Sequence, residues 1–171
     1  METLEDLFHE TLRDIYYAEK KLLKALPKMA KKATSPQLAA AFELHAEETQ
    51  TQLERLDSVF EMIGKTPRGK TCPAIDGMIE EATEIMQEAG NGVVRDAGTL
   101  AAAQAVEHYE ISRYGTLVAW AEKLGRPNAA ALLGETLAEE KATDEKLTLL
   151  ADSEVNVAAE DAAPAKSKSK R

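Results

Sequence analysis

The sequence predicts an all-α protein, a four-helix bundle in which a long crossover carries a short fifth helix. Two observations support this fold class. Apolar residues recur every three or four positions over long stretches, as they do on one face of an α-helix. Glycines, prolines and capping residues divide these stretches from one another. The 171 residues are enough for one domain with a full hydrophobic core.

The first two long helices have recognisable start and stop signals. A capping-box pattern that begins at Thr3 predicts a first helix over residues 4–32. The pair Ser35-Pro36 supplies a cap and then a proline at the first helical position, so a second helix is expected over residues 36–63. Gly64 follows as the C-terminal stop.

The second half of the chain begins with a long connection. Residues 64–74 contain two prolines and two glycines, which is typical of a loop. Residues 75–89 then space their apolar side chains as one face of a shorter helix. After a break at Gly90-Asn91-Gly92, a third bundle helix is expected over residues 93–124, and Pro127 starts a fourth that continues to about Ala151.

The last twenty residues differ in composition from the rest of the chain. They end in APAKSKSKR, a low-complexity run of alanine, lysine and serine. This composition predicts a disordered tail over residues 152–171, so that residues 1–151 form the single folded domain.

A weak internal repeat predicts the topology of the bundle. HAEETQTQL (45–53) on the second helix aligns with LAEEKATDE (137–145) on the fourth, which matches Glu48 with Glu140 and Gln52 with Asp144. The first and third helices both carry glutamates beside tyrosines, in IYYAEK and EHYEISRYG. Two helical hairpins joined by a crossover over residues 64–92 describe a bundle of ferritin-like topology.

Each bundle helix places an ionisable side chain in the middle of its apolar face. At roughly 100° per residue, Glu19, Glu107 and Glu140 share their faces with leucine, isoleucine or alanine. On the second helix His45 takes this position, with Glu48 one turn further on. Glu110 and Asp144 share the faces of Glu107 and Glu140 because residues three or four apart are neighbours on a helix. The candidate metal ligands are therefore Glu19, His45, Glu48, Glu107, Glu110, Glu140 and Asp144.

This combination of residues predicts a dinuclear metal centre. A buried carboxylate must take up a proton or find a cation, and carboxylates with an imidazole suit iron or manganese, with zinc less favoured. Two divalent ions would offset about four negative charges, and Tyr16 and Tyr114 border the stripe as possible hydrogen-bond donors to ligand oxygens. The alternative for each single residue is ordinary: a lone glutamate often faces water, and a lone histidine is often part of a satisfied core.

Composition excludes several classes of function. The net charge of −9 argues against binding to nucleic acid or to anionic lipid. A single cysteine, Cys72, allows neither an intrachain disulfide nor a thiolate cluster. No stretch has the length and apolarity of a membrane span or of a signal peptide, so the cytoplasm is the expected compartment. Val106 and Trp120 extend the apolar surface of the third helix, which needs a cover from the 75–89 helix or from a second subunit.

The order and spacing of four motifs resemble the YciF/YciE family of bacterial stress proteins, in the ferritin-like superfamily. The motifs are LFHETLRDIYYAEKKLLKALPKMAKKA, FELHAEETQTQLERLDSVFE, QAVEHYEISRYGTL and LGETLAEEKATDEKL, and the resemblance covers about residues 4–150. It implies a four-helix bundle with an added crossover helix, a homodimer, a role in stress responses, and a relation to rubrerythrins and manganese catalases.

The chain departs from the usual ligand set of the superfamily, which takes Glu-x-x-His pairs from the second and fourth helices. Here the second helix has His45-x-x-Glu48 in the reverse order, and Glu140-x-x-x-Asp144 replaces the other pair. Two classes of function remain open. One is a dinuclear metal protein that acts on peroxide or dioxygen, as an oxidase or peroxidase does, or that sequesters metal. The other is a non-enzymatic dimeric stress protein with a metal-poor acidic core, which acts by binding a protein partner.

Overall fold

The computed structural model describes residues 1–162, and these fold as a four-helix bundle with a crossover helix. The helices are α1 (Leu4–Lys32), α2 (Pro36–Met62), α3 (Pro73–Glu88), α4 (Gly92–Lys123), α5 (Pro127–Leu150) and α6 (Asn156–Glu160). The bundle consists of α1, α2, α4 and α5, and α3 lies in the crossover. The predicted all-α, ferritin-like fold is confirmed, and each long helix begins and ends within two residues of its expected bounds.

Short turns make antiparallel neighbours of consecutive helices. α1 packs along α2 and α4 packs along α5, and the two hairpins meet through the α2–α5 and α1–α4 faces. α3 lies outside this bundle, against α4 and α1. The crossover helix therefore covers the side of α4 on which Val106 lies, and Val106 is buried.

Local signals in the sequence fix the helix ends. The Thr3 hydroxyl accepts a hydrogen bond from the Asp6 amide at 3.1 Å, and Asp6 accepts one from the Thr3 amide at 3.1 Å. Gly64 and Gly125 end α2 and α4 with φ angles of 67° and 68°. These left-handed angles favour glycine because it has no Cβ to clash with the following carbonyl.

The hydrophobic core occupies both ends of the bundle and leaves a polar layer in the middle. Along α1, Phe8, Leu12 and Ile15 precede Glu19, and Leu22 and Leu26 follow it, all of them buried. The same order of apolar, ionisable and apolar residues holds along α2 and α4. Within the part of the chain that the structure describes, no helix combines the length and the apolarity that a membrane span requires.

The expected start of a disordered tail at residue 152 is wrong. The chain continues from α5 through one π-helical turn, Ala151–Val155, into α6. Ala151 and Val155 are buried, and Val155 is only 2% exposed. These residues remain helical because Ala151 and Val155 lie four residues apart and extend the apolar face of α5 by one more turn. Residues 163–171, the rest of the predicted tail, lie outside the described residues.

Candidate metal centre

The four bundle helices bring ionisable side chains together in the middle of the core. Glu19 comes from α1, His45 from α2, and Glu140 from α5, while α4 supplies both Glu107 and Glu110. None of the five is more than 4% exposed. The helical phase read from the sequence thus places all five in the interior, as predicted.

Four of these residues form a compact group. One ligand atom from each of His45, Glu107, Glu110 and Glu140 lies within 4.8 Å of all the others. Atoms bound to one ion by bonds of about 2.0–2.2 Å lie at most about 4.4 Å apart. The four side chains are therefore close to the spacing that a single shared cation requires. Nε2 of His45 is 3.2 Å from Oε1 of Glu107, but the two are not aligned for a hydrogen bond.

Glu19 lies beside this group, next to Glu110. Its Oε1 accepts a hydrogen bond from the fully buried hydroxyl of Tyr114, so the expected role of Tyr114 as a donor is confirmed. Tyr16 does not have this role. Its hydroxyl faces Asp57 and its ring packs edge-on against Phe60, with ring centroids 5.5 Å apart.

A chain of hydrogen bonds orients Glu140. Nε2 of Gln52 donates to Oε1 of Glu140 at 2.5 Å and to Oε2 of Glu139 at 3.2 Å. Glu139 is in turn held by Arg55 through two bonds, of 2.6 and 2.7 Å. Gln52 was not among the predicted site residues, although its alignment with Asp144 in the repeat was a signal that it shares the same face.

Glu48 and Asp144 lie at the outer edge of the site. Oε2 of Glu48 is 3.7 Å from Nδ1 of His45, and the side chain is 25% exposed. The imidazole of His45 and the ammonium of Lys146 lower the pKa of Glu48. Asp144 is turned away from the four-residue group: it accepts a hydrogen bond from Gln104 at 3.3 Å and lies 3.3 Å from the exposed ring of His108.

When its carboxyl groups are ionised, the buried group contains polar atoms that the described residues leave without a hydrogen bond. They are Glu19 Oε2, His45 Nδ1 and Nε2, Glu107 Oε2, both Oε1 and Oε2 of Glu110, and Glu140 Oε2. Buried polar atoms nearly always have a partner. Asp96 on α4 shows the ordinary arrangement, since it is 1% exposed and accepts hydrogen bonds from the amides of Thr34 and Ser35. The unpartnered oxygens and the imidazole fit a metal ion as their missing partner.

Burial and mutual repulsion raise the pKa values of the carboxyl groups. The pKa of Glu107 lies well above its ordinary value because the side chain is buried and because Glu140 is beside it. The same two kinds of cause, burial and then a neighbouring carboxylate, raise the pKa values of Glu19 and Glu110. Burial also raises the pKa of Glu140. Without a cation, this group holds protons that solvent-exposed glutamates would release.

The donor set suits a hard or intermediate divalent cation. Carboxylate oxygens with one imidazole are typical ligands of iron and manganese in proteins, whereas soft cations prefer thiolates. Cys72, the single cysteine of the chain, lies elsewhere, with Sγ 3.0 Å from the hydroxyl of Tyr109.

Comparisons with known proteins agree with this fold. Residues 3–160 match the model of the family described as domain of unknown function DUF892. This match, like α6, extends beyond the domain boundary expected at residue 151.

Relatives of known structure cover nearly the whole chain. Protein YciF of Escherichia coli strain K12 is 52% identical over 165 residues, which cover 95% of this chain and 99% of that protein. The crystal structure of the E. coli stress protein YciF superposes with a TM-score of 0.87 at 50% identity, covering 91% and 99% of the two chains. YcfI from Rhodopseudomonas palustris superposes with a TM-score of 0.84 at 54% identity, covering 86% and 94%.

Proposed function

The chain belongs to the DUF892 family of YciF-like stress proteins, and from that premise we propose that its bundle core holds two ions of iron or manganese. One observation carries the proposal. Five buried side chains from four helices converge, and among residues 1–162 seven of their polar atoms have no hydrogen-bond partner. A core would rarely keep so many unpaired polar atoms without a ligand, because each costs about 1–3 kcal/mol.

The side chains divide by position into ligands and supports. His45, Glu107, Glu110 and Glu140 hold the cations, and Glu19 extends the site on the α1 side. Gln52 and Tyr114 orient Glu140 and Glu19 through their hydrogen bonds. Glu48 and Asp144 lie at the edge. Oε2 of Glu48 is 3.7 Å from the ring of His45, and Asp144 would have to leave Gln104 and His108 to become a ligand.

The protein environment favours either redox chemistry with a small oxidant or storage of the metal. Bound iron or manganese supplies the capacity to exchange electrons with peroxide or dioxygen. The side chains of the site are buried, and the raised pKa values allow the carboxyl groups to hold protons at a pH at which exposed glutamates have released them. A stress protein can use either property, to consume an oxidant or to sequester metal.

The metal content of the protein tests the proposal. Protein purified without an affinity tag is expected to contain about two ions of iron or manganese per chain by plasma mass spectrometry. A Glu107→Gln, Glu110→Gln double variant is the matched control, since it removes two ligand charges and keeps the shape of both side chains. Equal, trace metal content in the two proteins would contradict the proposal and would favour a non-enzymatic protein that acts by binding a partner.

We further propose that the protein is a cytoplasmic homodimer. Trp120 remains partly exposed on α4, and Leu44 and Leu149 are 45% and 63% exposed on α2 and α5. α3 already covers Val106, so this side of α4 needs no second subunit. Light scattering is expected to give the mass of two chains. The mass of a single 18.6 kDa chain, or that of a shell of a dozen or more, would contradict a dimer.

A further inference from the structure

A second feature of the molecule is a groove between the crossover helix and the bundle. It has a volume of about 330 Å³ and lies between α1, α3 and α4. This volume is in the range of small-molecule sites, which is roughly 300–1,000 Å³. Neither the fold nor the proposed metal centre requires a space of this size.

The walls of the groove are apolar and adaptable. They are formed by Met29, Met78, Ile79, Ala82, Met86 and Val106, among others. Methionine side chains are flexible and polarisable, so they adjust to the shape of an alkyl chain. The small side chain of Ala82 leaves room between them. Such a surface favours a flexible apolar ligand over a polar one.

The mouth of the groove is cationic in an otherwise acidic protein. Lys21, Lys24 and Lys28 lie along it on α1, whereas the whole chain has a net charge of −9. Lys21 is paired with Asp76 of α3 at 2.8 Å. Lys24 and Lys28 are exposed, and among residues 1–162 neither forms a salt bridge. Two ammonium groups are therefore available to an anion at the mouth.

The floor of the groove determines which way a ligand lies. His45 and Glu107 reach it from the bundle core. Both side chains are buried, so this is the inner end of the groove. A carboxylate placed at this inner end would lose its hydration without reaching any of the lysines at the mouth. An anionic head group therefore belongs at the lysines, and an alkyl chain belongs inside.

We propose that this groove binds a free fatty acid, with the carboxylate at Lys24 and Lys28 and the alkyl chain between the methionines. Burial of the chain supplies most of the affinity, since each buried CH₂ contributes roughly 0.8 kcal/mol. The lysines supply the preference for an acid. The inner end of the groove shares His45 and Glu107 with the proposed metal centre, so binding of the acid is measured both with and without metal.

Calorimetric titration with decanoic acid tests the proposal. Saturable binding of one molecule per chain is expected, both in the protein as purified and after chelation of its metal. Decan-1-ol, which lacks the charge, is expected to bind about tenfold more weakly. Absence of saturable binding of decanoic acid, before and after chelation, would overturn the proposal whatever the metal content.

Two charge variants locate the head group. Lys24→Glu, Lys28→Glu reverses the charge at the mouth and should weaken binding of decanoic acid about tenfold while leaving decan-1-ol unchanged. Lys123→Glu, Lys141→Glu makes the same change of net charge at exposed positions on α4 and α5, and should leave both affinities unchanged. All four substituted lysines are exposed, so both variants should fold. Equal affinity of the two variants for the acid would overturn the placement at Lys24 and Lys28.

A third variant tests the alkyl chain. Ala82→Leu narrows the groove without changing its charge, and should weaken both ligands about tenfold. Its helical circular dichroism reports whether the bundle is intact. An intact Ala82→Leu protein that binds both ligands with unchanged affinity would place the chain outside the groove and overturn the proposal.

Discussion

Two buried carboxylates on α4 and α5 differ in what surrounds them. Asp96 accepts amide hydrogen bonds through both of its oxygens. Glu140 is 0% exposed. Among residues 1–162, its ionised carboxylate receives a hydrogen bond from Gln52 at Oε1 and none at Oε2. A buried carboxylate with hydrogen bonds to both oxygens needs no further partner. One that has a hydrogen bond to a single oxygen indicates a missing ligand.

Replacement of Glu140 by leucine tests whether this carboxylate is a metal ligand or an unpaired group of the core. With metal as the partner, Glu140→Leu is expected to lose about half or more of the bound metal and to melt at a lower temperature, because the other carboxylates lose a shared cation. Without metal the same change would remove an unsatisfied group from the core and raise the melting temperature. Metal analysis and a melting curve of the same sample show whether the melting temperature falls with loss of metal or rises.

Glu145→Leu is the matched control on the same helix. Glu145 is exposed, so this variant should keep its metal and should change the unfolding free energy by no more than about 0.5 kcal/mol. A Glu140→Leu protein that keeps all of its metal and melts higher would show that Glu140 is not a ligand.

Helical phase explains which site residues the sequence could predict. Glu19, His45, Glu107 and Glu140 lie at the centres of apolar faces, and a face centre stays buried even if the helix rotates slightly. Glu110 lies nearer to an edge of its face, where a small rotation would expose it, but it is 0% exposed in the structure. Glu48 and Asp144 lie near the edges of their faces, so their contacts depend on neighbours from other helices. His108 and Gln104 of α4 turn Asp144 outward, and spacing along α5 contains no information about that contact.

At the scale of helices, capping and helix-breaking residues predicted the helix ends correctly, whereas composition did not predict the structure of the C-terminal segment. Capping residues, prolines and positive-φ glycines act locally, so they place helix ends within two residues. The Ala-rich, acidic segment after residue 151 has the composition of a tail. It is nevertheless helical to Glu160 because Val155 is buried against the rest of the molecule, and such a tertiary contact is not visible in composition.

Two valines in this extension test whether it stabilises the bundle. Val155→Ala should lower the free energy of unfolding by about 1–3 kcal/mol, since it leaves a cavity where a buried side chain packed. Val157, two residues on, is 49% exposed, and Val157→Ala should change stability by less than about 0.5 kcal/mol. Denaturant titration measures both. Equal effects of the two substitutions would mean that the extension is not docked as described.

At the scale of the whole molecule, the buried carboxyl groups make stability depend on pH. Their contribution falls as the pH rises in the metal-free protein, whereas the contribution of bound metal grows. In the metal-free protein, burial raises the pKa values of Glu19, Glu107 and Glu110 above their ordinary value of 4.5. Between 4.5 and the raised pKa values of the folded state, the unfolded chain has released these protons while the folded chain still holds them. The folded state binds more protons, so its stability from these groups falls as the pH rises.

Metal reverses this dependence. Cation binding requires deprotonated carboxylates and a neutral imidazole, so the affinity for metal increases with pH. A ligand that binds only the folded state adds to the free energy of unfolding, and the added amount grows with the logarithm of the ligand concentration divided by its Kd. The difference in stability between the metal-loaded and metal-free proteins should therefore widen over the pH range above the ordinary glutamate pKa of 4.5.

The most direct measurement is the melting temperature of the protein in excess manganese or iron and in excess chelator, taken at several pH values across this range. Effects of the overall charge are common to both samples, so the difference between the two curves reports the buried cluster. The metal-loaded protein is expected to melt higher, by a margin that grows as the pH rises. Superimposed curves at every pH would contradict a metal centre in the core of this bundle.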